Sequence, residues 1–98
     1  MRRRLYAVYC DLLSRIGNLY ELRGALNKAC QMFHCLLDAD PLDETACRRL
    51  MALYARRGLP NKADRVYKAY RRRIEEELGE QLDPGLEALH RGIMETKK

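Results

Sequence analysis

Apolar side chains recur along this chain at intervals of three and four residues, with polar and charged ones between them. That is the spacing of a helix with one buried face. Leu5, Tyr9, Leu12, Leu13, Ile16 and Tyr20 carry a first helix over about 3–23. Ala29, Phe33, Leu36 and Leu37 carry a second over about 25–39, laid against the first. A third, about 44–57, presents Ala46, Cys47, Leu50, Met51 and Tyr54. A fourth, about 61–78, turns Ala63, Val66, Tyr67, Tyr70, Ile74 and Leu78 inward, and a fifth, about 84–95, buries Leu86, Leu89 and Ile93. Nothing alternates with period two, so no strand is expected, and the predicted class is all-α.

The punctuation between these runs agrees with them. Gly24 and Gly58 end the first and third helices, where a left-handed residue favours glycine. Asp40 precedes Pro41, and a residue before proline is pushed out of the helical region. Asp43 and Asp83 stand where an N-cap is needed, and Pro60 and Pro84 fall near the first turn, where a missing N–H costs nothing.

The pattern also repeats. Leu13, Ile16, Gly17, Tyr20, Gly24, Ala29 and Phe33 match Cys47, Leu50, Met51, Tyr54, Gly58, Ala63 and Tyr67 at a displacement of 34 residues. The first copy, Leu13-x2-Ile16-Gly17-x2-Tyr20…Ala29-x3-Phe33…Pro41, resembles the tetratricopeptide helical hairpin with an apolar residue in place of its tryptophan. In such a hairpin a glycine at position 17 admits the partner helix. A third copy fails at Gln81 and Ala88, and Glu75 stands where Pro41 stood. The expectation is therefore two hairpins and a C-terminal capping helix in a single domain over 1–98.

Composition changes this picture little. Apolar residues at 47% suffice for a core, and charged ones at 34% suit exposed helix faces. No apolar run approaches the roughly 20 residues that span a bilayer. The start Met1-Arg2-Arg3-Arg4 is followed by Tyr6, Tyr9, Cys10 and Asp11, not by the apolar run of a signal peptide. A cytoplasmic protein without membrane contact is expected. Cys10, Cys30, Cys35 and Cys47 include no C-x-x-C pair, and each is expected on or near an apolar helix face as a small hydrophobe.

Candidate chemistry is sparse. Cys30 and His34 share a helix face, yet a structural zinc ion needs four ligands, and Cys35 and His90 stand elsewhere. Cys30 is expected to pack and His34 to face solvent, with no metal and no cofactor. No nucleophile–base pair, phosphate-cradling glycine loop or carboxylate constellation suggests an enzyme. Between Arg56 and Arg73 eight basic side chains face one acid, Asp64. Arg57, Arg65, Lys68 and Arg72 mark this basic face, which either stays solvated, meets another domain or touches nucleic acid. Arg71, Arg72 and Arg73 also stand four residues before Glu75, Glu76 and Glu77, the spacing of helical ion pairs.

By repeat position a partner groove would be lined by Asp11, Ser14, Asn18 and Glu21 from the first helix, and by Arg48, Ala52 and Arg56 from the third. Asn18 occupies the clamp asparagine of carboxylate-binding tetratricopeptide domains, but Ser14 replaces the lysine. Repeat stacks need neighbours to cover their end faces. Leu5, Tyr6, Tyr9 and Leu12 exceed what one hairpin partner can cover, so self-association through the first helix is expected.

Three anchors are more specific. They are Asp40-Pro41-Leu42-Asp43-Glu44 with Arg49-Leu50-Met51-Ala52-Leu53-Tyr54 and Arg57-Gly58; Ala63-x3-Tyr67 with Glu76-Glu77-Leu78-Gly79; and Asp83-Pro84-x-Leu86-x2-Leu89. In this order they resemble the bacterial transcriptional activation domain of antibiotic-regulatory-protein-type activators. The tail departs from the family at Glu80-Gln81-Leu82-Asp83. The resemblance implies a regulatory domain acting through protein contacts: a homodimer, an upstream domain of a parent regulator, or the transcription machinery. DNA would be bound by a separate winged-helix domain. It implies no catalytic residue. A stand-alone adaptor for a protein or peptide, and nucleic-acid contact through residues 56–73, are the alternatives.

Overall fold

The computed structural model describes residues 3–96, so Met1 and Arg2 of the basic start lie outside the described residues. Five α-helices follow one another: α1 (Arg3–Leu22), α2 (Leu26–Ala39), α3 (Glu44–Arg56), α4 (Pro60–Arg73) and α5 (Pro84–Thr96). No strand occurs among the described residues, and the class is all-α. α1 packs on α2 and α3 on α4; α2 then packs on α3, which stacks the two hairpins side by side. The result is a slab of 44 × 38 × 17 Å, about two helices thick, with α5 laid across α3 and α4.

The two hairpin turns are built alike. Gly24 and Gly58 adopt left-handed backbones at φ 76° and 74°. In each turn the residue after the glycine donates back across the helix end, Ala25 to the Tyr20 carbonyl at 2.9 Å and Leu59 to the Tyr54 carbonyl at 2.8 Å. This pairing closes otherwise orphaned carbonyls. Inside α1, Gly17 meets the ring of Phe33: a β-carbon there would lie 2.8 Å from Cε2. Asp43 caps α3 by accepting from the Ala46 amide at 3.0 Å.

Two details differ from the sequence reading. The helix after α4 continues through a widened π-helical turn, Ile74–Leu78, before Gly79 ends it at φ 62°. Its i→i+5 bonding changes the angular step, so Ile74 stays buried while Leu78, expected inward, is exposed. Cys35, expected near an apolar face, is exposed on α2. Cys30 and Cys47 are buried, and burial pushes the Cys47 thiol up to about 12.

α5 is fastened at its start and at its middle. At its start the Asp83 carboxylate accepts from the Gly85 amide at 2.9 Å and from Arg48 of α3 at 2.6 Å. Further along, the His90 ring stacks on Tyr67 at 3.8 Å and 5°, with its Nε2 2.7 Å from the Asp64 carboxylate.

Candidate functional site: the outer face of the first helix

The core is unevenly shared among the helices. α3 buries Ala46, Cys47, Leu50, Met51, Leu53 and Tyr54, whereas Leu13 is the buried large side chain of α1 among the described residues. The repeat explains the difference. Leu12, Ile16 and Leu19 match Ala46, Leu50 and Leu53 at the 34-residue displacement. The three in α3 are each 1% exposed, because α2 lies against them. Their counterparts in α1 are 51%, 38% and 55% exposed. The face that the first hairpin covers on α3 has no such cover on α1 among the described residues.

Leu5, Val8 and Tyr9 extend the same exposed stripe toward the N-terminus. On an ideal helix these three with Leu12, Ile16 and Leu19 fall within an arc of about 100°. Of the side chains expected to self-associate, Leu5, Tyr9 and Leu12 therefore lie together on this surface. Tyr6 does not. It is half-buried, and its hydroxyl donates to the Ala39 carbonyl at the end of α2. Val8, Ile16 and Leu19 are the additions that the structure makes. Their signal is in the sequence, Val8 at i+3 from Leu5, and Ile16 and Leu19 at i+4 and i+7 from Leu12.

The residues expected to line a groove are placed differently. Glu21 reaches from α1 to α3, with Oε2 3.3 Å from Arg56 and Oε1 3.5 Å from Arg49. Asn18 stands on the same side of α1, its Oδ1 buried without a hydrogen-bond partner, and Ser14 is half-buried. Asp11 holds Arg15 of its own helix at 2.9 Å. Ala52 is half-buried, and Arg48 is drawn to Asp83 and to Glu44 at 3.4 Å. Glu21 and Arg56 thus meet, while Arg48 serves the seam with α5.

The basic side chains of α4 share a face, with Arg65, Lys68 and Arg72 at i, i+3 and i+7. Arg57 lies over the Tyr54 ring at 5.7 Å, and Lys68 is 3.0 Å from the Asp64 carboxylate. Arg65 and Arg72 border a cleft of about 530 Å³ between α2 and α4, floored by Leu37, Val66 and Ala69. Of the three helical ion pairs expected, Arg73–Glu77 forms at 2.7 Å, while Arg71 lies over Tyr67 at 5.6 Å. His34 is exposed beside Asp38 at 3.5 Å, and Cys30 points into the core. No cluster of three or more metal-ligating side chains occurs among the described residues. No helix there is long and apolar enough to cross a membrane.

The model of one family, the bacterial transcriptional activator domain, matches residues 2–94. No curated protein and no solved structure matches the chain. The match runs through both hairpins and α5, and so includes the three sequence anchors and the exposed stripe of α1. The chain belongs to the bacterial transcriptional activator domain family, and its role lies in transcription regulation.

Proposed function

We propose that this chain is the protein-contact part of a bacterial transcription regulator, and that the outer face of α1 is the surface it uses to pair with a second copy. DNA binding belongs to a separate domain in this reading. The observation that carries it is the comparison of equivalent positions: Leu12, Ile16 and Leu19 are open where Ala46, Leu50 and Leu53 are closed. An apolar patch of this kind on a folded surface marks an interaction site. Six large side chains, each roughly half exposed, amount to several hundred Å², on the scale of the ~800 Å² per partner of an ordinary stable interface.

A stand-alone peptide-binding adaptor is supported less well. Its groove would need Glu21, Arg48 and Arg56 to be available, and each is engaged by a neighbouring element of the same chain. Nucleic-acid contact is supported less well again, because Lys68 and Arg73 are paired with nearby carboxylates and no aromatic stacking platform accompanies the basic side chains.

A fusion experiment tests the proposal. The chain is joined to a DNA-binding domain that occupies its operator only as a dimer, and occupancy is read with a reporter. The unaltered chain should support occupancy, and Leu12→Glu should lose it at equal expression. Fusions of the unaltered chain that behave like the DNA-binding domain alone would defeat the reading.

A further inference from the structure

Resting on that reading, we infer that two copies pair through α1 in antiparallel fashion, about a two-fold axis passing at Leu12. Leu5, Leu12 and Leu19 stand seven residues apart and form the central row of the exposed face. A seven-residue apolar repeat is the seam of two helices packed at a shallow left-handed angle. The row is symmetric about its middle member. A two-fold axis makes residue i of one copy meet residue j of the other while j meets i. Placed at Leu12, it sets Leu12 on Leu12 of the partner subunit and sets Leu5 against Leu19 of the partner subunit, twice.

The helix ends favour this direction over the parallel one, because each positive N-terminus then lies beside the partner's negative C-terminus. On one side stand Val8 and Arg15, on the other Tyr9 and Ile16. In the antiparallel pair Tyr9 meets Ile16 of the partner subunit, an apolar contact. Val8 meets the aliphatic stem of Arg15 of the partner subunit, whose guanidinium stays at the rim, held by Asp11 at 2.9 Å. In a parallel pair the rows would cross, setting Arg15 on Ile16 of the partner subunit, and the two positive helix starts, each with an exposed Arg4, would lie side by side. The face is also clear of the other described residues. α2 meets α1 at Leu13 and Gly17, and α3 meets it through Glu21, so the partner helix approaches from the open side.

Charge exchange across the seam tests the register, with association constants from equilibrium sedimentation of the full chain. Leu5→Lys and Leu19→Glu are both at exposed positions, so the fold is expected to survive, which far-UV circular dichroism checks. Each single change should weaken pairing by about tenfold or more, since a charge then faces leucine. Both changes in one chain should recover most of that loss and make pairing salt-sensitive, because lysine then meets glutamate at both ends of the seam. A double variant that pairs no better than the single ones, while the unaltered chain dimerises, overturns the antiparallel register and leaves the pairing reading standing. An unaltered chain that stays monomeric at high concentration overturns both. In that case α1 is covered by another segment or protein.

Discussion

Gly17 has no room for a β-carbon, and the reason is one ring. Phe33 lies against it closely enough that an added methyl group would sit 2.8 Å from Cε2 and 2.9 Å from Cζ. Phe33 is itself fully buried, so it cannot yield without disturbing its neighbours. Gly17→Ala should therefore cost about 1–3 kcal/mol, as overpacked cores do. Gly58→Ala should cost about 1–2 kcal/mol for a different reason, the left-handed backbone, since nothing lies within 4 Å of its missing β-carbon. Urea unfolding of both variants checks this: a neutral Gly17→Ala would mean that α1 and α2 do not approach as described. The cysteines give a second prediction at this scale. Cys35 is exposed, while Cys30 and Cys47 are buried and the Cys47 thiol is pushed up to about 12. Under native conditions a thiol reagent should modify Cys35 first, and Cys30 and Cys47 only at the rate of opening or unfolding. Rapid modification of Cys47 in the folded protein would contradict its placement.

At the scale of elements, α5 is held by polar seams as much as by Leu86 and Ile93. Hydrogen bonding from the His90 ring, with Lys68 adding to it, holds the Asp64 carboxyl below its ordinary 3.8. A carboxyl with a folded-state pKa below its unfolded one stabilises the fold above its unfolded pKa. That contribution is lost as pH falls through the folded-state value. The gap in urea stability between the unaltered chain and Asp64→Asn should thus be present just above the ordinary carboxylate range and close in more acid solution. A gap that does not narrow on acidification would exclude this seam as its source. The boundaries of the helices were legible because glycine, proline and capping aspartates punctuate the sequence. The seams were not. Nothing in the spacing of Asp64, Tyr67 and His90 announces that a helix 26 positions later brings the imidazole onto the phenol ring. The widened turn at Ile74–Leu78 was equally silent, because Ile74 and Leu78 keep helical spacing whichever way the turn is wound.

At the scale of the whole molecule, the repeat that made the fold readable also made one face of it misleading. Ile16 looks like a core residue in sequence because Leu50, its counterpart, is one. Burial depends on what lies on the other side, and on α1 nothing among the described residues does. The surplus of apolar residues at Leu5, Tyr9 and Leu12 was legible, whereas the exclusion of Tyr6 from that surface needed the position of the Ala39 carbonyl. The basic face of Arg57, Arg65, Lys68 and Arg72, partly paired with carboxylates and without an aromatic platform, carries its own expectation. Binding to DNA by this chain should be weak, indifferent to sequence and lost at moderate salt. A sequence-specific footprint at physiological salt would contradict it.

The central claim is that the open face of α1 pairs two copies of the chain, and molar mass by light scattering across a dilution series tests it most directly. The account predicts a dimer at micromolar concentration that relaxes toward monomer on dilution, and a monomer throughout for Leu12→Glu with its helix content unchanged. A monomer at every concentration of the unaltered chain, or a dimer that Leu12→Glu leaves intact, would contradict it.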